Sequence, residues 1–276
     1  MKNYFEKALF MGKEKVAGEE FHRLYFGNEF CEKLIPDRDA LERGYGFSRK
    51  EKKKFTFVTP FVTDEGLDRL GPLLVFLDRQ KDAEIVFNDW GVFRLLKKHF
   101  NHLTPVLGRL LTKQRRDPMI SDILANAQKT VVKKKGKKET IILPKKVPPS
   151  LAEHFRASVI NVPVFQRFLL SQGIRRVEID HLIWGMNISV PPEMGVSIYF
   201  PYGYVSTTRM CWRVSLSSRS CKRTCKKYFF RIKNRSLPVP FYSIGNTVFY
   251  RSGPVDLEKL KHLKKLRLVY QPRLPF

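Results

Sequence analysis

Short apolar runs alternate with amphipathic helical patterns along most of this chain. Strands are predicted within 21–31, 55–59, 84–88, 103–111, 172–180, 195–204 and 266–270. A helix is predicted to begin near Asp64, whose carboxylate can cap the first turn, and another follows residue 91. Residues 1–20 predict a short helical lead, and 256–265 a short basic helix. Strands that alternate with helices indicate βα units and a parallel sheet.

Polar residues recur directly after the predicted strands, where barrel enzymes carry their active sites. They are Asn28, Glu29, Thr59, Asn88, Asp89 and Arg109. The first strand is not followed by the glycine-rich G-x-G-x-x-G turn of a Rossmann domain. About six βα units are recognisable. We therefore expect an α/β fold of the TIM-barrel-like (β/α) type, closed or incomplete, with a C-terminal extension that contains cysteines.

Two segments depart from the βα pattern within what we expect to be a single domain over 1–276. Segment 128–150 holds eight lysines and one glutamate. We expect an exposed hairpin or a mobile basic insertion there, which is either a solvated loop or an arm that binds polyanions. Segment 206–255 is rich in cysteine, and 239–253 has the pattern of a hairpin.

The charge of the chain points to an anionic partner. The net charge is +26, and 194–255 contains no acidic residue. RNA, DNA and an anionic membrane surface are the polyanions that such a charge favours, although solvated surface lysines explain part of it. We expect no transmembrane segment, because no apolar run reaches about 18 residues. No N-terminal signal pattern is visible, so the expected compartment is the reducing cytoplasm.

Three of the four cysteines lie close together, at Cys211, Cys221 and Cys225, while Cys31 is distant in the sequence. Four thiolates suit either a tetrahedral zinc ion or a 4Fe–4S cluster, and the C-x₉-C-x₃-C spacing matches no standard zinc finger. Seven Lys or Arg residues between 209 and 227 would stabilise the negative charge of either centre. Unrelated free thiols are the third alternative. Because Cys31 follows one predicted strand and the other three follow a later one, a barrel would bring all four to one face.

A small carboxylated substrate is the second kind of ligand that the pattern suggests. The residues that would bind it are Asn88, Asp89, Arg109, Arg116 and Asp117. Arginine suits a bidentate contact with a carboxylate. The alternative is that Asn88 and Asp89 cap the following helix and that Asp117 pairs with an arginine. A peptidase is disfavoured, since the sequence contains neither H-E-x-x-H nor G-x-S-x-G.

Several motifs occur here in the order of a known family. They are YFGNEFC, FNDWGVFRLL, LGRLLTKQRRDP, the C-x₉-C-x₃-C group and GNTVFYRSG. With these motifs the chain resembles the collagenase-like peptidase family U-32, and within it the UbiV branch, over roughly residues 20 to 255.

The resemblance implies a TIM-barrel-like fold and a 4Fe–4S cluster, with Cys31, Cys211, Cys221 and Cys225 as the ligands. It implies a heterodimer with a UbiU-like protein in the oxygen-independent hydroxylation of a ubiquinone precursor, with prephenate as oxygen donor. Other branches of the family hydroxylate RNA bases, so an iron–sulfur protein that acts on RNA is the alternative. Collagenase-like peptidase activity is the weakest of the implied functions.

Overall fold

The computed structural model describes residues 5–11, 21–125, 129–134, 137–142, 148–215, 220–235 and 237–275. Its strands, in chain order, are β1 (Glu6–Phe10), β2 (Arg23–Gly27), β3 (Lys54–Val58), β4 (Ala83–Phe87), β5 (Thr104–Leu107), β6 (Lys129–Lys134), β7 (Lys137–Ile142), β8 (Arg176–Asp180), β9 (Gly195–Phe200), β10 (Tyr202–Thr207), β11 (Phe230–Ile232), β12 (Phe241–Ile244), β13 (Thr247–Arg251) and β14 (Leu266–Tyr270).

The α-helices of the same residues are α1 (Arg38–Lys50), α2 (Asp64–Gln80), α3 (Trp90–His99), α4 (Ile120–Ala125), α5 (Pro149–Arg156), α6 (Pro163–Ser171) and α7 (Trp212–Ser215). Short 3-10 turns occupy Glu32–Leu34, Val159–Asn161, Thr224–Lys226 and Glu258–Leu260.

Eight parallel strands form a closed barrel in the order β1-β14-β9-β8-β5-β4-β3-β2. The last strand of the chain closes the ring, because β14 pairs in parallel with β1 on one side and with β9 on the other. The prediction of an α/β, TIM-barrel-like fold is therefore confirmed, and the barrel is closed. All eight carboxyl ends face the same way, so the residues that follow the strands meet at one mouth.

The N-terminal prediction was wrong. Residues 6–10, which we had assigned to a helical lead, form β1, so the strand expected to be first is the second strand of the barrel. Residues 12–20 of that lead lie outside the described residues. The predicted C-terminal helix is only the 3-10 turn Glu258–Leu260.

Two helices that follow barrel strands begin at side-chain caps. Helix α2 begins as predicted, but its cap is Thr63, whose hydroxyl accepts a hydrogen bond from the Gly66 amide, and not Asp64. Helix α3 is capped by Asp89, whose carboxylate accepts from the Gly91 amide at 2.7 Å. The apolar faces of both helices pack against the outside of the sheet; Leu70 and Leu74 of α2 are fully buried there.

The amino-terminal half of the barrel interior is polar. Arg267 donates to Glu6 at 2.7 Å and to Glu84 at 2.7 and 3.0 Å. Glu178 accepts hydrogen bonds from the hydroxyls of Tyr25 at 2.9 Å and Tyr199 at 2.6 Å. The buried Arg267 is thus paired with two carboxylates and Glu178 is hydrogen-bonded by two hydroxyls, and such partners are the condition under which a polar core is stable.

Two further sheets stand apart from the barrel. The antiparallel sheet β10-β13-β12-β11 begins two residues after β9, and its β12–β13 pair is the hairpin predicted at 239–253. Strands β6 and β7 pair only with each other, within the lysine-rich insertion at 128–150. The mobility of that insertion stays a prediction. None of the described helices has the length and apolar character that crossing a membrane requires.

Candidate functional site

A fully buried arginine closes the barrel mouth. Arg109 follows β5, and its Nε and Nη2 form a bidentate ion pair with Glu29, which follows β2. Its Nη1 donates to Asp180, the last residue of β8, at 2.6 Å. Two further donors reach the Tyr202 carbonyl at 3.3 Å and Gln271 Oε1 at 3.2 Å. All five N–H groups of Arg109 thus bind other parts of this chain.

A second arginine extends this network. Arg116 Nε donates to Asp180 at 2.7 Å, and its Nη atoms donate to the carbonyls of Gln114 and Arg109. The guanidinium of Arg116 lies 4.1 Å from the ring centre of Tyr204, and that of Arg109 lies 4.0 Å from Tyr199. The two cations are therefore held between carboxylates and aromatic faces.

The charges in this network perturb one another. Burial raises the pKa of the Glu29 carboxyl, while Arg109 acts to lower it. Burial acts to lower the pKa of Arg109, but Glu29 and Asp180 outweigh it and raise that pKa above the ordinary value. The guanidinium is thus a fixed positive charge at the centre of the mouth. Its five N–H groups are all bonded within the chain, so what the structure shows is that Arg109 positions the residues it binds.

Three of the five predicted substrate residues line one cavity beside this network. The cavity has a volume of about 660 Å³ and is lined by Asn88, Asp89 and Arg116, with Lys113 and Arg209 also in its wall. Two cations of the wall that are exposed give it a positive rim. This is a site where a small anion would find basic groups at the carboxyl ends of β4 and β5.

The side chains of Asn88 and Asp89 also have structural contacts. Asn88 donates to the Thr59 carbonyl at 2.8 Å and accepts from the Leu110 amide at 3.1 Å, so it joins the loops after β3, β4 and β5. Asp89 is the helix cap and also accepts from Arg209 at 3.4 Å. The alternative that these residues cap the following helix is confirmed for Asp89, whereas Asn88 joins the loops instead. Substrate binding by either residue stays a prediction.

The remaining two predicted residues lie elsewhere. Arg109 is fully buried and is not among the residues that line the cavity. Asp117 is exposed and accepts a hydrogen bond from the Met119 amide at 2.9 Å, where it begins the turn before α4. Neither residue lines the cavity, so their role in substrate binding stays a prediction.

The segment that carries Cys31 is held by an asparagine at the end of β2. Asn28 Oδ1 accepts from the amides of Phe30 at 3.0 Å and Cys31 at 2.9 Å. The Asn28 amide group donates to the Pro275 carbonyl at 3.4 Å. The chain therefore turns sharply after the strand and places Cys31 at the start of a 3-10 turn.

A second asparagine joins this segment to the one that carries Cys211. Asn246, in the β12–β13 turn, donates to the Phe30 carbonyl at 2.6 Å and to the Thr208 carbonyl. The Thr208 amide donates back to the Asn246 carbonyl at 3.1 Å. The peptide next to Cys31 and the peptide three residues before Cys211 thus bind one side chain.

Cys225 is buried in an apolar cluster at the same end of the small sheet. It packs with Phe30 and Phe249, whose ring centres are 5.1 Å apart, and with Leu34, Tyr204 and Ile244. Cys31 packs against this cluster. The cluster fills the space between the end of β2 and the small sheet, and brings two distant cysteines together.

The thiol of Cys31 lies within electrostatic reach of all three other thiols. Its pKa is raised to about 11, first by burial and further by Cys225, Cys221 and Cys211. The amide of Lys33 donates to its sulfur, which acts in the opposite direction. A neighbouring thiolate disfavours the charge on Cys31, so these contributions indicate that the other three thiols lie in its neighbourhood. That all four bind one centre stays a prediction.

Zinc and a 4Fe–4S cluster require different positions of their four sulfur ligands. Among the residues described, no three side chains of His, Cys, Asp or Glu stand close enough to hold one metal ion. A tetrahedral zinc ion needs its sulfur ligands about 2.3 Å from a single point. In a 4Fe–4S cubane each thiolate binds a different iron, so the four sulfurs stand further apart around a larger centre. Which of the two centres the four cysteines hold stays a prediction.

An exposed aromatic and basic surface lies beside the cysteines. Trp212, Tyr228, Phe229 and Phe230 are between 46% and 63% exposed, and β11 forms the edge of the small sheet with all three side chains exposed. The exposed basic residues of the same segment are Lys222, Arg223, Lys226, Lys227, Arg231, Lys233 and Arg235. We call this the aromatic-basic surface.

Comparison with protein-family models, with curated proteins and with solved structures gave no match. The function therefore has to be argued from the site itself.

Sequence reasoning missed three features of this site. It noted Glu29 and Arg109 as residues after strands, but not that they bind each other, and it did not single out Asp180 at all. It also did not single out Asn246, because the Gly-Asn-Thr sequence at 245–247 indicates only a turn. The signal available for Asp180 was a polar residue at the end of a predicted strand, which is the feature that singled out Asn88.

Proposed function

We propose that Cys31, Cys211, Cys221 and Cys225 hold a 4Fe–4S cluster, and that this chain is a UbiV-like subunit of an oxygen-independent hydroxylation system. The observation that carries the proposal is the proximity of Cys31 to three cysteines that lie at least 180 residues further along the chain. Free thiols with no common role are the alternative that the metal analysis below tests.

The surroundings of the thiols support a bound cluster. The Lys33 amide donates to the Cys31 sulfur, and hydrogen bonds to sulfur tune such centres. Four thiolates around an oxidised cubane leave a net charge of about −2, which the nearby basic residues offset. When bound, the cluster supplies one-electron chemistry, and the chain supplies its position and charge environment.

The cavity beside Asn88 and Arg116 is the place we propose for a small carboxylated co-substrate. Arg209 and Lys113 provide the cations at its rim, and Arg116 closes its inner end. Prephenate, the oxygen donor implied by the resemblance, belongs to this chemical class, and a ubiquinone precursor would then be the hydroxylated substrate. We propose a UbiU-like protein as the heterodimer partner, in a cytoplasmic setting with an anionic membrane surface nearby.

The first experiment is anaerobic purification of the full chain, followed by its absorption spectrum and by iron and sulfide counts. We expect a brown protein with about four irons and four sulfides per chain. Cys221→Ala should lose the cluster, and Ser220→Ala, next to it in the chain, is the matched control that should keep it. A colourless protein with one tightly bound zinc would replace the cubane by the rival centre.

A specific observation favours a second candidate, an iron–sulfur protein that acts on RNA. The aromatic-basic surface combines exposed rings, on which bases stack, with cations for the phosphates. It lies in the stretch 194–255, which has no acidic residue. The same surface would also meet an acidic face of a protein partner, because opposite charges speed and orient association.

Co-expression with genomic neighbours separates the two candidates. A stoichiometric protein partner with little nucleic acid absorbance supports the hydroxylation heterodimer. A lone chain that retains RNA at moderate salt supports the RNA candidate. Salt dependence alone does not decide, since both kinds of complex weaken as salt rises.

A further inference from the structure

A second cavity opens at the carboxyl end of β8, on the other side of the barrel mouth from Cys31. In the ring of strands β8 is separated from β2 by β5, β4 and β3. The cavity has a volume of about 820 Å³ and lies between the loop 181–186 and the loop 253–257. Cavities of about 300–1,000 Å³ hold small organic ligands.

Two buried polar atoms without a partner belong to residues that line this cavity, and a third belongs to a ring that stacks on one of them. Among the described residues, only four buried side-chain polar atoms have no hydrogen-bond partner, and three of them are Trp184 Nε1, His181 Nδ1 and Tyr250 Oη. Trp184 is 5% exposed and stacks on the fully buried Tyr250, with ring centres 6.3 Å apart. Trp184 and His181 both line the cavity. Buried polar groups in folded proteins are nearly always paired, so this concentration indicates a place for a complementary ligand.

The hydrogen-bonding character of His181 is determined by its second nitrogen. Its Nδ1 is without a partner, and the ring interacts with the backbone of Gly253, so we assign the proton of the neutral ring to Nε2. Burial lowers the pKa of His181, against the opposing effects of Gly253 and Asp180. The ring is therefore neutral at pH 7, and Nδ1 presents a lone pair that accepts a hydrogen bond.

We propose that this cavity binds an uncharged ring compound that carries a hydroxyl group. The ligand hydroxyl donates to His181 Nδ1, and its oxygen accepts from Trp184 Nε1. Leu182, Ile183 and Met186 provide apolar surface for the ring.

The charges at the rim favour an uncharged ligand. Lys259 pairs with Asp256 at 3.1 Å, and Arg156 Nε donates to the Trp184 carbonyl at 3.0 Å. These two cations at the cavity thus have partners within the chain.

The test uses three probes of nearly equal size on the full, iron-free chain, so its outcome does not depend on the cluster. Phenol donates and accepts, anisole only accepts, and toluene does neither. The chain has three tryptophans, so its indole N–H region holds three NMR signals. Trp90→Phe and Trp212→Phe remove the other two signals and thereby assign Trp184.

Phenol should move the Trp184 signal downfield and bind about 3- to 10-fold more tightly than toluene, with anisole between them. Trp184→Phe should reduce this preference while toluene binding stays the same, and Trp212→Phe should change neither. Equal affinity for phenol and toluene, or a Trp184 signal that none of the probes moves, would overturn the proposal and leave water as the partner of the three atoms.

Discussion

Replacing Arg109 by Met should be among the most destabilising single changes at the barrel mouth. The methionine keeps the length of the side chain but removes a charge that binds Glu29 through two N–H groups and Asp180 through a third. All three side chains are fully buried. In the variant, Asp180 would still pair with Arg116, whereas Glu29 would lose its ion pair. Breaking a buried ion pair from one side costs about 3–5 kcal/mol, out of a total stability of about 5–15 kcal/mol.

The matched control is Arg38→Met, which removes the same side chain from an exposed ion pair. Arg38 and Glu42 lie one helical turn apart and are 58% and 42% exposed, so their pair is worth about 0.3–0.5 kcal/mol. Urea unfolding of both variants at pH 7, on iron-free protein in reducing buffer, measures the two losses in free energy of unfolding.

The pH dependence tests the cause. Burial already raises the pKa of Glu29 in the native chain, and loss of Arg109 removes the opposing effect. A carboxyl whose folded pKa lies above its unfolded value binds more protons when folded, so its contribution to stability is present at low pH and declines as the pH rises. The deficit of Arg109→Met should therefore be smaller at pH 5 than at pH 8. A loss no larger than that of Arg38→Met, or a deficit independent of pH, would refute this account of the network.

Three further changes have defined outcomes. Burial, reinforced by Glu29, raises the pKa of Glu178 to about 8, so the free energy of unfolding should fall as the pH rises from 6 to 9. Glu178→Gln should make this decline shallower in denaturant titrations. An unchanged dependence of the free energy of unfolding on pH would contradict the assignment. Gly27→Ala should lower the free energy of unfolding by about 2 kcal/mol or more, because φ is +127° and a Cβ would meet a backbone oxygen of β3. Gly71→Ala, inside α2, meets nothing and should raise the free energy of unfolding by about 0.5–1 kcal/mol. Melting temperatures of the two variants that move in the same direction would count against this. Asn246→Ala should lower the iron content per chain, with a smaller relative effect on the melting temperature, because it removes the hydrogen bonds to the carbonyls of Phe30 and Thr208. Full iron content in the variant would show that these hydrogen bonds are not needed.

Local pattern was enough to predict most of the barrel elements. The alternation of apolar runs and helical faces predicted β3, β4 and β14 and the beginning of α2, because periodicity records which faces of an element meet the core. Strand β1 escaped this reasoning: it has five residues, of which Glu6 and Lys7 are charged. Glu6 is tolerated since it faces Arg23 and Arg267 inside the barrel, a pairing that no local window contains.

For the site, the sequence predicted which residues follow the strands. Placing residues after parallel strands was enough to expect Cys31 near the later cysteines, because closure brings all strand ends to one mouth. Which side chains bind each other there was decided by tertiary structure alone. Arg109 is 80 residues from Glu29 and 71 from Asp180, and only the strand order and register make them neighbours. The sequence determines which chemical groups are available, whereas the closed sheet determines which of them pair. The reason is that a buried charge without a partner costs free energy, and only the groups that the sheet places next to it can offset that cost.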